Sequence, residues 1–220
     1  SLRSERVTDT LLVLTMIQMV LDHLEFSKFD LSSLKFMVYG ASPIAETLLD
    51  RLSAAFPQLA LMQGYGMTEL SGCVSYLPPY YHTAEGRALG KLRSAGRAAA
   101  LAEIKIVDAE GKELPRGAVG EIAARGMSAM TGYWNRPADD ASTLRDGWVH
   151  SGDGAYMDDE GFIFIVDRMK DMVVSGGENV YSAEVENAVL KHPAIAACAV
   201  IGVPSEKWGE SVHAVVVLKP

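Results

Sequence analysis

The sequence predicts a mixed α/β and α+β fold with three parts. Residues 1–76 alternate helical and strand patterns, which is typical of a parallel α/β unit. Residues 77–167 consist of short strands separated by turns, and residues 168–220 follow a strand–helix–strand–strand pattern. We therefore expect part of a parallel sheet, then an antiparallel β region, then a small α+β unit.

The first part carries two apolar strand patterns with a helix between them. A helical stretch is predicted around Thr8–Phe26, ahead of the apolar run LKFMVYG at 34–40. Apolar residues recur at helical spacing after Pro43, and LALMQ at 59–63 predicts a second strand. Short joints between strand, helix and strand imply a parallel pair, and such sheets bind ligands beyond the carboxyl ends of their strands. We therefore expect a ligand site where these two strands end.

The middle and last parts are predicted from shorter patterns. The strand patterns EIKIVD, EIAARG, WVHS and FIFIVD are separated by turns such as Asp158–Gly161. Regular short strands of this kind predict an antiparallel barrel or a distorted sandwich. Beyond the charged segment 167–171, MVVSGG, a helical pattern at Ser182–His192 and two apolar runs predict the small α+β unit.

Composition excludes some classes of function. The formal net charge of -8 argues against sequence-independent binding of nucleic acid, which needs a cationic surface. It leaves nucleotide binding open, because backbone amides and a metal can hold phosphates. Cys73 and Cys198 lack metal-ligand spacing, which favours a reducing, cytoplasmic setting. The apolar run Thr10–Leu21 is shorter than the roughly 20 residues that span a bilayer, so we expect no transmembrane segment, and we find no signal peptide.

The segment GYGMTEL at 64–70 carries residues suited to a nucleotide. The glycines on either side of Tyr65 let the backbone bend at a strand end, and the aromatic ring offers a stacking face worth about 1–3 kcal/mol per base. Thr68 and Glu69 provide the hydroxyl and carboxylate oxygens that a phosphate and Mg²⁺ require. The alternative is a glycine-rich turn with a solvated Glu69.

Three later segments also carry polar residues suited to a nucleotide, two of them beside glycines. Asp153 lies between two glycines and can accept hydrogen bonds from a ribose diol, although an aspartate in a β-turn is common. Arg168 can bind an anion or a ribose, or it belongs to a solvated linker. The glycine loop Ser175–Asn179 either approaches a ligand closely or simply turns. No segment is decisive alone, but their joint order is.

In that order the motifs resemble a known superfamily. The chain resembles the adenylate-forming superfamily of acyl-CoA synthetases, luciferases and peptide-synthetase adenylation domains. The resemblance lies in three segments, which are in order GYGMTE, RGMSAMTGYWNRP and GWVHSGDGAYMDDEGFIFIVDRMKDMVVSGGENVYSAEVE. The resemblance runs from Thr8 to Pro220, and SGGENVYSAEVE with GVPSEKWGE is most similar to fatty-acyl-CoA synthetases. It implies a partial α/β subdomain over 1–76, a distorted antiparallel β-barrel over 77–167 and a small carboxyl-terminal lid domain over 168–220.

The resemblance also implies an adenosine-binding set. Tyr65 matches the aromatic residue that stacks on adenine, Asp153 the acceptor of the ribose diol, and Arg168 a second contact to ribose or phosphate. The whole set consists of Gly40, Ala41, Ser42, Pro43, Tyr65, Gly66, Met67, Asp153 and Arg168.

Catalytic and conformational roles follow from the same resemblance. Thr68 matches a hydroxyl that contacts phosphate, and Glu69 matches the carboxylate that binds Mg²⁺. Lys170 lies at the hinge about which the lid domain swings, and Gly176 and Gly177 fall on the loop facing the pantetheine channel. The remaining motif residues Gly132, Tyr133 and Trp148 look structural.

The implied reaction has two steps, and its cofactors are ATP/AMP, Mg²⁺ and coenzyme A. A carboxylic acid, by the nearest likeness a fatty acid, attacks the α-phosphorus of ATP to give acyl-AMP, and the CoA thiol then displaces AMP. The alternatives are an aryl- or amino-acid-activating adenylation domain and a non-catalytic nucleotide- or acyl-binding relative. Oligomer formation and peripheral membrane contact stay open.

Two expectations concern this chain alone. The family's upstream phosphate loop and its terminal catalytic lysine do not occur among these 220 residues, and Lys219 lacks the glycine that precedes that lysine. We therefore expect the chain alone to adenylate poorly. We also expect Tyr65→Ala to weaken AMP binding and spare the fold, because Tyr65 lies at a strand end.

Overall fold

A computed structural model describes residues 4–40 and 46–219, except for the side chain of Ser27. The predicted adenine-loop residues Ala41, Ser42 and Pro43 lie outside the described residues. In the described part, three sheets follow one another along the chain. The mixed fold class predicted from the sequence is confirmed.

The first sheet has five strands in chain order, of which β1, β2 and β3 are parallel and the last two antiparallel. Its elements are β1 (Asp9–Val13), α1 (Leu14–Leu21), β2 (Phe36–Gly40), α2 (Glu46–Ala55), β3 (Ala60–Met67), β4 (Gly72–Leu77), α3 (Ala84–Arg87) and β5 (Arg97–Ala98), with 3-10 helices at Phe26–Lys28, Thr68–Leu70 and Pro79–His82. The predicted parallel pair is confirmed, and Gly40 lies opposite Gly64 at its end.

The predicted helix over Thr8–Phe26 is wrong at its start. Asp9–Val13 is extended and pairs with β2, while the Thr8 carbonyl accepts hydrogen bonds from the amides of Lys35 and Phe36. Helix α1 begins only at Leu14. A continuous apolar run does not distinguish a buried helix from a strand, and here the open edge of β2 selects the strand.

Helices α1 and α2 pack into a core with one face of this sheet. Ile17, Leu49 and Leu52 interlock there with Met37 and Tyr39, all of them buried. The strand alternates, so Val38 points to the opposite face. The helices therefore fix β2 and β3, whose ends carry the predicted site.

The second sheet is antiparallel, in the order β10–β9–β7–β6 with β8 beside β9. Its elements are β6 (Ala102–Val107), β7 (Gly120–Gly126), α4 (Pro137–Thr143), β8 (Leu144–Arg145), β9 (Trp148–Met157) and β10 (Ile163–Arg168). Ile122 and Val149 share one core with Tyr65, Leu70 and Val74 of the first sheet. The core thus brings the end of β3 against β9.

The third sheet is the predicted small α+β unit. It comprises β11 (Val173–Ser175), β12 (Glu178–Val180), α5 (Ser182–Val189), β13 (Ile195–Ser205) and β14 (Gly209–Leu218), in the order β12–β11–β14–β13. Helix α5 is shorter than the predicted Ser182–His192. Glu186 Oε1 accepts a hydrogen bond of 2.8 Å from the Val200 amide, which fastens α5 to β13. The domain bounds at 76 and 167 stay predictions.

None of the helices in the described part of the chain is both long and apolar enough to span a bilayer.

Candidate nucleotide site

Tyr65 lies near the end of β3 in a closely packed backbone. A Cβ atom added to Gly66 would lie 1.8 Å from the Gly72 carbonyl oxygen, and one added to Gly40 would lie 2.2 Å from that of Gly64. Because a side chain at either position would collide with backbone, both positions require glycine. These close approaches fix the course of the strand on either side of Tyr65.

The Tyr65 hydroxyl donates a hydrogen bond of 2.8 Å to Asp153 Oδ2, although the two residues are 88 positions apart. The ring is 9% exposed and packs in the core shared by the first two sheets. Burial, and then the neighbouring Asp153 charge, raise the pKa of the Tyr65 hydroxyl, so it stays protonated and keeps donating. Two predicted site residues therefore meet.

The burial of Tyr65 corrects one expectation. Its ring belongs to the core, so Tyr65→Ala removes buried volume instead of sparing the fold. Truncation of a large buried aromatic residue to alanine typically costs about 3–5 kcal/mol. The predicted strand ended at Gln63, but β3 runs to Met67, so Tyr65 lies within the strand, paired with Ser75, and the sequence gave no sign that β9 packs against it.

Asp153 lies on β9 directly opposite Arg168 on β10. The register of these strands shifts between Ile165 and Asp167, and Arg168 Nε then lies 3.6 Å from Asp153 Oδ1. A bulge of this type re-aims side chains next to a site. Tyr65, Asp153 and Arg168 thus form one cluster from three strands, with the Asp153 side chain 19% and the Arg168 side chain 63% exposed.

Glu121 holds the segment that leads into Asp153, and the sequence analysis missed it. Its Oε1 accepts a hydrogen bond of 2.9 Å from the Gly152 amide, and its Oε2 lies 2.7 Å from His150 Nδ1. Arg145 Nη2 lies 3.3 Å from the same Oε2. The sequence signal was an acidic residue at the start of the strand EIAARG, where a solvated position is equally typical.

Thr68 and Glu69 lie in the single 3-10 turn that follows β3, separated from Tyr65 by Gly66 and Met67. Thr68 is exposed and Glu69 is half-buried. Glu69 Oε1 accepts a hydrogen bond of 2.6 Å from the Tyr133 hydroxyl, and this bond raises the pKa of Tyr133. Met130 donates its amide to the Glu69 carbonyl at 2.8 Å, which fixes the main chain of the turn.

Lys170 is exposed in the turn after β10, and the Arg168 carbonyl accepts hydrogen bonds from the amides of Asp171 and Met172. The buried Asp167 carboxylate accepts a hydrogen bond of 2.8 Å from Ser182 Oγ and another from the Ser182 amide, so β10 is tied to the start of α5. Lys170 therefore lies on the connection between the second and third sheets.

Gly176 and Gly177 occupy the tip of the β11–β12 hairpin with φ values of +62° and +87°. The Gly176 amide donates to the Trp208 carbonyl at 2.8 Å, and a Cβ there would lie 2.9 Å from Trp208 Cε3. Across residues 4–40 and 46–219, no hydrogen bond joins this hairpin to Tyr65, Asp153 or Arg168. The structure does not bring these two glycines into that cluster.

The family model for the AMP-binding enzyme matches residues 1–134, and that for the AMP-binding enzyme C-terminal domain matches residues 184–220. The chain belongs to the AMP-binding enzyme family. The first match covers the whole first sheet, the turn with Glu69 and strands β6 and β7, and the second covers most of α5 with β13 and β14. Asp153 and Arg168 lie in the interval between them.

Family members with similar sequences cover essentially the whole chain. The fatty acid–[acyl-carrier-protein] ligase ScoC of Streptomyces coeruleorubidus is 41% identical over 219 residues, which are 100% of this chain and 41% of the relative. The medium/long-chain-fatty-acid–CoA ligase FadD8 of Mycobacterium tuberculosis is 42% identical over 99% of this chain and 37% of its own length. Feruloyl-CoA synthase of an Amycolatopsis species is 44% identical over 99% and 43%. The chain spans about two fifths of these curated relatives.

Solved structures of the family share the fold. The amide bond synthetase McbA from Marinactinospora thermotolerans superposes with a TM-score of 0.87 at 34% identity, over 100% of this chain and 43% of that one. The o-succinylbenzoate coenzyme A synthetase of Bacillus subtilis, in complex with ATP and magnesium ion, gives a TM-score of 0.84 at 33% identity, over 100% and 44%.

The residues around Glu69 fit one kind of metal ion. No group of three or more histidine, cysteine, aspartate or glutamate side chains that could hold a metal occurs in the described part of the chain. Mg²⁺ is commonly bound by one or two carboxylates that leave its other positions to water and substrate phosphates. Glu69 therefore suits a Mg²⁺ ion that arrives with a nucleotide.

Proposed function

We propose that this chain carries the adenosine-binding part of an ATP-dependent acid–thiol ligase. The ligase activates a carboxylic acid as acyl-AMP and transfers the acyl group to CoA. The observation that carries the proposal is the Tyr65–Asp153 hydrogen bond of 2.8 Å with Arg168 3.6 Å from the same carboxylate. An aromatic ring, a carboxylate and a guanidinium thus meet near the end of β3, which leads on to Glu69.

In this function each residue of the candidate site has its own role. Asp153 accepts hydrogen bonds from the ribose hydroxyls, Tyr65 borders the adenine, and Arg168 contacts ribose or phosphate. Thr68 donates its hydroxyl to a phosphate oxygen, and Glu69 holds Mg²⁺. When bound, Mg²⁺ neutralises phosphate charge. Gly40 with Ala41, Ser42 and Pro43, and Gly66 with Met67, complete the adenine surroundings.

The chemistry needs positioning and charge stabilisation more than a nucleophilic side chain. A carboxylate oxygen of the substrate attacks the α-phosphorus, the bond to the β-phosphate oxygen breaks, and pyrophosphate leaves. The thiolate sulfur of CoA then attacks the acyl carbonyl, and AMP leaves as the carbon–oxygen bond breaks. In this function Arg168 and Glu69 would supply the charge stabilisation, Glu69 by holding the cation.

We assign a fatty acid as the substrate and CoA as the acceptor. Support comes from FadD8, whose name is that of a medium/long-chain-fatty-acid–CoA ligase and whose identity to this chain is 42%. A second candidate is an aryl acid, because feruloyl-CoA synthase is 44% identical. We further propose Lys170 as the hinge and Gly176 with Gly177 as the pantetheine-facing loop, with domains at 1–76, 77–167 and 168–220.

ATP–pyrophosphate exchange tests the function. The complete gene product containing this chain is expected to exchange label when supplied with a fatty acid, and to form the acyl-CoA thioester. The 220-residue chain alone is expected to bind AMP but exchange label far more slowly. Exchange that depends on ferulate-like acids and not on fatty acids would favour the second candidate. Absence of both AMP binding and exchange would refute the proposal.

Asp153→Asn provides the matched variant for that assay. The amide keeps one oxygen for the Tyr65 hydroxyl but loses the charge that ribose hydroxyls favour. A hydrogen bond to a charged group contributes about 1.5–3 kcal/mol, so exchange at limiting ATP is expected to fall about 10- to 100-fold. Asp159→Asn, an exposed position on the β9–β10 turn, is the control and should leave exchange unchanged.

A further inference from the structure

The Glu69 carboxylate is held by a neutral donor from a distant part of the chain. The Tyr133 hydroxyl donates to Glu69 Oε1 at 2.6 Å across 64 positions of sequence. Within residues 4–40 and 46–219 no second group donates a hydrogen bond to this carboxylate. Tyr133 therefore determines how the carboxylate is oriented.

The backbone on both sides of this contact is fixed. The Tyr133 amide donates to Asp140 Oδ1 at 2.6 Å, and Asp140 lies in the first turn of α4. Gly132, at φ +147°, lies so close to the same carboxylate that an added Cβ would lie 3.0 Å from Asp140 Oδ2. On the other side, Met130 donates to the Glu69 carbonyl at 2.8 Å. The tyrosine hydroxyl and the carboxylate therefore meet in a defined geometry.

The type of donor matters for a metal ligand. An arginine or lysine at the Tyr133 position would neutralise the carboxylate and repel a cation beside it. A phenol hydroxyl orients Oε1 without adding charge, so the full negative charge stays available for Mg²⁺. Mg²⁺ demands near-ideal octahedral geometry, which makes the orientation of its protein ligand important.

We propose that Tyr133 is a positioning residue that holds Glu69 for Mg²⁺–ATP, an inference that rests on the function proposed above. Its hydroxyl acts through Glu69 and has no direct contact with the nucleotide. Removal of the hydroxyl should therefore weaken only the part of ATP binding that depends on the metal. AMP binding, which uses Tyr65 and Asp153, should be unaffected.

Calorimetry of ATP and AMP binding, each with saturating Mg²⁺ and with EDTA, tests this on the complete gene product. The wild-type protein should bind ATP more tightly with Mg²⁺ than with EDTA. In Tyr133→Phe the factor by which Mg²⁺ increases ATP affinity is expected to fall about tenfold, because one hydrogen bond to a charged group is lost. Mn²⁺ affinity in the presence of ATP, measured by electron paramagnetic resonance, should fall by the same factor.

Tyr156→Phe is the matched control. It also removes one phenol hydroxyl, and its ring remains stacked on Phe164 at a centroid distance of 4.9 Å. It should keep the metal-dependent gain and the Mn²⁺ affinity of the wild type. Glu69→Gln should abolish the gain.

The outcomes separate the inference from the proposed function. If Tyr133→Phe retains the whole gain while Glu69→Gln loses it, the function stands and the positioning role is refuted. If Tyr133→Phe instead loses AMP and ATP affinity equally and melts at a lower temperature, Tyr133 has a purely structural role. This result would also refute the positioning role. A wild-type protein whose ATP affinity ignores Mg²⁺ refutes the inference together with the metal role of Glu69.

Discussion

Glu121→Ala should weaken the candidate nucleotide site, although Glu121 is not one of the residues proposed to contact the nucleotide. The Glu121 side chain is 17% exposed and accepts from the Gly152 amide at 2.9 Å, while its other oxygen lies 2.7 Å from the ring of His150, which is 7% exposed. Each buried polar group left without a partner costs about 1–3 kcal/mol. His150 is buried but the Gly152 amide is only partly so, and we therefore expect a loss of about 1–3 kcal/mol in the free energy of unfolding.

Because Gly152 precedes Asp153, the same change should also loosen Asp153, the proposed acceptor of the ribose diol. We expect AMP affinity to fall about tenfold, the equivalent of one hydrogen bond to a charged group. Urea unfolding gives the stability, and calorimetry at a temperature where both proteins are folded gives the affinity. Both readouts are needed, since a loss of stability alone would assign Glu121 to the fold only.

The control is Glu103→Ala. Glu103 also lies on the second sheet, but its carboxylate pairs with Arg125 at the surface, with side chains 64% and 45% exposed. Exposed pairs of this kind contribute about 0–1 kcal/mol. If the two variants lose the same small stability and both keep wild-type AMP affinity, the supporting role of Glu121 is refuted.

The other predictions concern the ring of Tyr65, the half-buried His82 and the proposed hinge at Lys170. Tyr65→Phe should keep stability within about 1.5 kcal/mol, whereas Tyr65→Ala should lose about 3–5 kcal/mol in urea unfolding, and equal losses would contradict the burial of the ring. Burial lowers the pKa of His82 to about 4, so the unfolded chain binds a proton that the folded chain does not, and stability should fall as the pH drops from about 6.5 to about 4. His82→Gln should remove that part of the loss, measured as unfolding free energy at about pH 7 and about pH 5, and an unchanged pH dependence would refute it. Lys170→Pro in the complete gene product should preserve one half-reaction and strongly slow the other, because proline fixes φ at the proposed hinge. An equal loss of adenylation and of thioester formation would count against a hinge.

The sequence predicted those parts of the fold that depend on local patterns. The strands predicted at 34–40 and 59–63 occur as β2 and β3 and are parallel, and the unit after residue 168 has the predicted order with one additional strand, β12, before its helix. The start of the chain was misread because DTLLV is apolar throughout, and only the unpaired edge of β2 decides that it is a strand.

In the candidate site, too, the sequence predicted the residues that lie in motifs and missed those that depend on long-range contacts. Tyr65, Asp153 and Arg168 were found because each lies in a motif, and the structure brings the three together. Glu121 and the contact of Tyr133 with Glu69 were missed because they act through pairings 29 to 64 residues apart in sequence. Such pairings depend on strand register and loop path, which a motif does not encode.

The central claim is that Tyr65, Asp153 and Arg168 surround one adenosine. A crystal structure of the chain with AMP tests it most directly. We expect both ribose hydroxyls within hydrogen-bond distance of the Asp153 carboxylate, the adenine bordering Tyr65, and the phosphate directed towards Thr68. AMP bound elsewhere, with Asp153 contacting only Tyr65 and Arg168, would contradict the account.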